Sequence, residues 1–139
     1  MKLTIMTTKI ALDTNILIYL YDDSDERKRN ISESLILDRP IIGSQVISEF
    51  LNVTKRLLKL PKNELMDKAN KLFRVCEIVS MNQMTITKAK DLIIKYDFQL
   101  FDSLIVASAL QSNCTVLYSE DLHHNLMVEN QLRIINPSI

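Results

Sequence analysis

The chain alternates short unbroken apolar runs with longer stretches in which apolar residues recur every three or four positions. Runs of three or four apolar residues bounded by turn residues suit buried strands, and the longer period suits amphipathic helices. The pattern predicts a first strand at about Lys9–Leu12 and a helix near Asn15–Tyr21. Asp22–Asp25 is a polar break, and Glu26–Leu37 reads as a second helix. Pro40 opens a short strand, Ile41–Gly43. Ser44 is a favourable N-cap for a helix from Gln45 to about Leu58, with Val46, Phe50, Val53 and Leu57 as its apolar stripe. Pro61 opens a helix over Lys62–Arg74, a position that proline tolerates. Cys76–Val79 predicts a third strand. Thr85–Tyr96 follows as a helix with Ile86, Ala89, Ile93 and Ile94 inward, then Phe101–Ser112 as an apolar helix. Thr115–Tyr118 and Arg133–Ile135 are the last strands. Alternating elements of this kind imply an α/β fold: a central parallel sheet of about five strands with helices on both faces. No linker, repeat or low-complexity tract interrupts the pattern, so residues 1–139 read as one domain.

Composition narrows the chemistry. The single glycine, Gly43, excludes the Gly-rich phosphate loops and the G-x-S-x-G nucleophile elbow. The net charge of zero argues against a general nucleic-acid coat protein. The charge is uneven, however: residues 51–75 carry Lys55, Arg56, Lys59, Lys62, Lys68, Lys71 and Arg74 against Glu64 and Asp67. Such an arm is either a solvated helix face or a grip for a polyanion beside an acidic pocket. Cys76 and Cys114 form no C-x-x-C and adjoin apolar segments, so they read as buried free thiols in a reducing compartment. Thr7, Thr8 and Lys9 break any signal-like stretch, and no apolar run approaches membrane-span length. A cytoplasmic protein is expected.

Four carboxylates stand inside or beside strongly apolar runs: Asp13, Glu49, Asp102 and Asp121. Isolated buried carboxylates are costly, and several together repel one another; a hard divalent cation with oxygen ligands relieves both problems. Asp13 and Asp121 follow directly on predicted strands, Glu49 lies in the helix after the second strand, and Asp102 opens the helix before the fourth. In a parallel α/β sheet, ligands bind beyond the carboxyl ends of the strands, where strand order reverses. All four acids can reach that edge. Val46 and Val53 share a helix face with Glu49, and Ile105, Val106 and Ala109 share one with Asp102. Simpler readings are an N-cap or first-turn helix residue for Asp102 and a strand-end turn for Asp13. Glu49 has no comparable structural reading. Glu120 adjoins Asp121 and is the alternative to it as fourth acid. His123 and His124 lack the partners of a zinc site and read as surface loop residues.

Four segments then carry a resemblance. Ala11-Leu12-Asp13-Thr14-Asn15-Ile16-Leu17-Ile18, Ser44-x-x-Ile47-Ser48-Glu49-Phe50, Phe101-Asp102-Ser103-Leu104-Ile105-Val106-Ala107-Ser108-Ala109 and Leu117-Tyr118-Ser119-Glu120-Asp121-Leu122 resemble, in this order, the motifs of the PIN-domain ribonucleases. The ending Leu132-Arg133-Ile134-Ile135-Asn136-Pro137 is similar to that of the VapC-like toxins of type II toxin–antitoxin pairs. The resemblance covers nearly the whole chain. It implies a PIN-like three-layer fold and a Mg²⁺- or Mn²⁺-dependent endoribonuclease with Asp13, Glu49, Asp102 and Asp121 as catalytic metal ligands. It also implies supporting roles for Thr14, Asn15, Ser119 and Glu120, an RNA substrate, a homodimer and a small antitoxin protein as partner. The alternatives are a housekeeping or DNA-directed nuclease of the same fold, or an inactive binding module. The apolar surplus of Ile16–Tyr21 and Phe101–Leu110 is the sequence's own hint of a dimer.

Overall fold

The computed structural model describes residues 8–139. Thr7, and the first seven positions of the expected 1–139 domain, lie outside the described residues. The elements run β1 (Ile10–Leu12), α1 (Thr14–Ile18), a 3-10 turn (Tyr19–Tyr21), α2 (Glu26–Ile36), β2 (Ile41–Gly43), α3 (Ser44–Leu58) and α4 (Lys62–Arg74). They continue with β3 (Glu77–Val79), α5 (Gln83–Tyr96), α6 (Leu100–Gln111), β4 (Val116–Tyr118), β5 (Met127–Val128) and β6 (Leu132–Ile135).

The strands form one sheet in the order β3-β2-β1-β4-β6-β5, parallel throughout except for the β5–β6 pair. The five expected strands are therefore present. The sixth, β5, is only two residues long and shows no alternation to read. Its connection to β6 carries Glu129 and Asn130 at φ 52° and 53°, in the left-handed region. Among the described residues six helices flank the sheet; α5 packs on α6, and α3 packs on both α1 and α4.

Three expectations about helix ends and faces need correction. Ser44 is the first residue of α3 and not its cap; Gly43 takes the cap position without a side-chain bond. The Ser44 hydroxyl instead accepts a hydrogen bond from the Met81 amide at 3.1 Å. The α5 stripe is Thr85, Ala89 and Leu92, while Ile86 and Ile94 are 52% and 72% exposed. The reason lies at the start of the helix. Asn82 and Thr85 form a reciprocal capping box, and the Thr85 hydroxyl also reaches Gln111 on α6 at 2.8 Å. That contact fixes which side of α5 meets α6. In α3 the buried positions are Val46, Phe50 and Thr54; Leu57 is exposed. The dimer hint is also weaker than expected. Ile16, Leu17, Ile105, Val106 and Leu110 are buried in the domain's own core, leaving Leu100 and Phe101 outside.

The scarcity of glycine has a measurable consequence. All the left-handed positions among the described residues are occupied by side-chain-bearing residues, Lys59 at the end of α3 among them (φ 51°). Lys59 is exposed. A β-carbon in this conformation costs roughly 1–2 kcal/mol, partly offset by the chain entropy that glycine loses on folding. Lys59→Gly is expected to stabilise the domain by about 0.5–1 kcal/mol, read from urea unfolding at constant m-value.

Candidate functional site

The strand order brings the acids together. β1 lies between β2 and β4, and Leu12 is in register with Tyr118. The residues just past those strand ends, Asp13 and Ser119, are therefore neighbours. Asp13, Thr14, Asn15, Glu49, Asp102, Glu120 and Asp121 line one cleft of about 530 Å³, together with Asp22, Lys28 and Asn52. Ser119 lies beneath it, fully buried.

Asp13 ends β1 and caps α1. Its Oδ1 accepts the Thr14 amide at 2.7 Å and its Oδ2 accepts the Ser119 hydroxyl at 2.8 Å. Burial nevertheless dominates. It raises the carboxyl from 3.8 to about 6, with further upward pushes from Glu49 and Asp102. Glu49 projects from α3 with both oxygens engaged: Thr14 Oγ1 donates to Oε2 at 2.7 Å and Gln45 Nε2 donates to Oε1 at 3.0 Å. Gln45 Nε2 also lies 3.4 Å from the Phe101 carbonyl, linking α3 to the start of α6. Asp102, in the first turn of α6, is raised by burial and then by Asp121 and Glu49. Asp121 is exposed and is held by Asn15 Nδ2 at 3.0 Å, while Asn15 Oδ1 accepts the Glu120 amide at 3.2 Å.

The two candidates for fourth acid thus face different partners. The Glu120 carboxylate accepts the Tyr19 hydroxyl and pairs with Lys28 at 3.3 Å. Burial, and then that bond to Glu120, push the Tyr19 hydroxyl upward. Among the described residues Asp121 has no cationic partner, and it adds to the repulsion felt by Asp102. Sequence reasoning missed Gln45, Asp22, Lys28 and the Tyr19 hydroxyl. Gln45 could have been found from its i, i+4 spacing to Glu49; the others carry no local signal. None of the seven basic residues of 51–75 lines the cleft. His123 and His124 also lie outside it; His124 Nδ1 accepts the Asn136 amide at 3.0 Å.

The donors are carboxylates, a hydroxyl and amides, the oxygen-rich set preferred by hard divalent cations. Among the described residues, no three His, Cys, Asp or Glu side chains are gathered tightly enough to cage an ion by themselves. Thr14 bears on the geometry without being an acid. Thr14→Val is expected to free one Glu49 oxygen and lower turnover roughly 10–100-fold while leaving the fold intact. Steady-state kinetics beside a circular dichroism melt would check this.

A family model for the PIN domain matches residues 10–127. No curated protein matches the chain. Among solved structures it is similar to a toxin–antitoxin complex from Klebsiella pneumoniae, at 17% identity and TM-score 0.70, covering 94% of this chain and 98% of that one. It is also similar to VapBC2 from Rickettsia felis bound to a promoter DNA fragment, at 19% identity and TM-score 0.67, covering 93% and 100%. A third is the sarcin–ricin-loop-cleaving toxin VapC20 of Mycobacterium tuberculosis, at 16% identity and TM-score 0.61, covering 78% and 87%.

Proposed function

This chain belongs to the PIN-domain family, and we propose that it is a single-domain, divalent-metal-dependent endoribonuclease that serves as the toxin of a toxin–antitoxin pair. The observation that carries the reading is the meeting of Asp13, Glu49, Asp102 and Asp121 in one cleft of oxygen donors. These four would hold Mg²⁺ or Mn²⁺. Burial, and after it the neighbouring acids, raise the carboxyls of Asp13 and Asp102, and a cation bound among them would offset both effects. A divalent ion bound there supplies electrostatic stabilisation of the phosphoryl group and eases ionisation of the attacking water.

The chain's own residues prepare the site. Ser119 and the Thr14 amide fix the Asp13 carboxylate. Thr14 and Gln45 fix both oxygens of Glu49, and Asn15 fixes Asp121. Their role is to hold the acids in one geometry against mutual repulsion, so that little reorganisation is needed when substrate arrives. Ser119 is fully buried and committed to Asp13, so its hydroxyl orients that carboxylate and is not offered to a substrate.

The partner reading draws on the relatives' character as toxin–antitoxin complexes. A groove beside α2, lined by Ile31, Leu35, Tyr118 and Pro137 among others, offers an apolar seat for an antitoxin segment. Exposed Leu100 and Phe101 support a homodimer. The buried free thiols, Cys76 and Cys114, both pushed up to about 11 by burial, suit a reducing, cytoplasmic setting. No helix among the described residues is long and apolar enough to cross a membrane.

The test is incubation of the purified protein with single-stranded RNA and, separately, single-stranded DNA, with Mg²⁺ or Mn²⁺ and again with EDTA. RNA cleavage that EDTA abolishes is expected. Cleavage of DNA alone would overturn the RNA assignment. Cleavage of neither would leave an inactive binding module.

A further inference from the structure

The cleft poses an electrostatic problem for any RNA substrate. Asp13, Asp22, Glu49, Asp102, Glu120 and Asp121 all line it, and among the described residues Lys28 is its one cationic lining residue. A metal ion at the acids compensates the reacting phosphate, but the adjoining nucleotides each bring a further negative charge to an acidic wall.

Lys28 is built into that wall. It sits in the first turn of α2, where its amide bonds the Asp25 cap at 3.1 Å. Its ammonium stands 5.0 Å over the Tyr19 ring and 3.3 and 3.4 Å from the two oxygens of Glu120. Glu120 is held in turn by the Tyr19 hydroxyl. An ammonium has three donors, and Glu120 occupies at most two of them. The Lys28 and Glu120 side chains are 27% and 34% exposed, and ion pairs this accessible contribute little to stability. The pair therefore leaves the ammonium at the edge of the cleft with a donor to spare.

We propose that Lys28 is a phosphate-binding residue of the cleft, contacting a phosphate of the single-stranded RNA next to the one that is cut. Glu120 and Tyr19 hold the ammonium at the rim until RNA arrives. The inference rests on the ribonuclease reading and deepens it, by naming how the strand is gripped. It also gives Glu120 a task distinct from that of Asp121: Asp121 faces the acids and Glu120 positions the lysine.

The experiment measures binding of a mixed-sequence single-stranded RNA oligonucleotide in Mg²⁺ buffer across a salt series, with Asp13→Asn as the non-cleaving parent. Adding Lys28→Ala is expected to weaken binding and to flatten the slope of log K against log salt by about 0.7, the value for one lost phosphate contact on a single strand. Adding Lys28→Arg instead is expected to keep the parent slope. Adding Glu120→Gln is expected to tighten binding at low salt, because it removes a competing acceptor and a negative charge. An unchanged slope with Lys28→Ala, accompanied by a lower melting temperature, would make the lysine structural and overturn the proposal. If Lys28→Ala does not fold, Glu120→Gln decides, and weaker or unchanged binding overturns it. Wild-type protein that cleaves no RNA with Mg²⁺ or Mn²⁺ defeats the ribonuclease reading itself, a result separable from a parent that binds RNA with a slope indifferent to Lys28.

Discussion

Asp13→Asn is expected to abolish both RNA cleavage and the growth arrest that expression of the wild-type chain should cause, and yet to melt at a higher temperature than wild type in metal-free buffer near pH 7. The two effects have one origin. Asp13 is 5% exposed, its carboxyl is raised from 3.8 to about 6, and burial is the largest cause. A carboxyl raised on folding binds more protons in the folded than in the unfolded state, so its penalty appears as pH climbs through that interval. It is absent below about pH 4, grows between pH 4 and 6, and stays constant above. The full penalty is on the order of 3 kcal/mol, and asparagine avoids much of it. Asparagine also preserves the local bonds: its oxygen can accept the Thr14 amide, and its amide can donate to the Ser119 hydroxyl. The variant should therefore gain about 1–3 kcal/mol above pH 6 and nothing below pH 4. Added Mg²⁺ should raise the melting temperature of wild type more than that of the variant, by linkage to binding. Calorimetric melts at several pH values check all of this. A large loss of stability in the variant would mean that the ionised carboxylate is structural, and the metal reading of the cleft would fall. Harmless high-level expression of wild type without a partner would remove the toxin reading alone.

Phe50→Ala should cost about 3–5 kcal/mol, a large share of the roughly 5–15 kcal/mol that holds a domain folded. Phe50 is 1% exposed and sits at the centre of an aromatic cluster. It meets Phe73 of α4 edge-on at 5.4 Å and Tyr21 at 5.8 Å. The substitution removes the ring that joins α3, α4 and the turn after α1 and leaves a cavity that close-packed neighbours fill only in part. It should also reach the cleft. Glu49 is the preceding residue, and its bond to Thr14 depends on α3 keeping its distance from α1. Urea unfolding gives the stability change, with Phe50→Leu expected to retain most of it. A loss below about 1 kcal/mol for the alanine variant would show that this packing carries little of the fold's stability.

How far the chain could be read without coordinates depends on the range of the signal. Strand and helix positions were legible because side-chain periodicity is a property of neighbouring residues. Asp13, Glu49 and Asp102 stood out for the same reason: each interrupts an apolar pattern that a solvated acid would avoid. Errors arose where a distant group intervened. Ser44 carries the side chain of a helix cap, but its hydroxyl serves the Met81 amide. The α5 stripe differs from its local pattern because the capping box at Asn82 and the bond from Thr85 to Gln111 on α6 choose the buried side, leaving Ile86 and Ile94 outside.

The sequence by itself determined the order of the helices and of five strands, the class of fold and the residue types able to hold a cation, because these follow from local pattern and side-chain chemistry, whereas the two-residue β5 has no pattern of its own. Only the tertiary structure decided how each acid is used. The position of β1 between β2 and β4 sets Asp13 against Ser119, more than one hundred residues away, and buries it. The same packing leaves Asp121 exposed on Asn15 and turns Glu120 to Tyr19 and Lys28. Adjacent acids in one segment thus acquire different partners. Desolvation and Coulomb energy depend on distances in space, and the spacing of residues along a chain does not fix those distances.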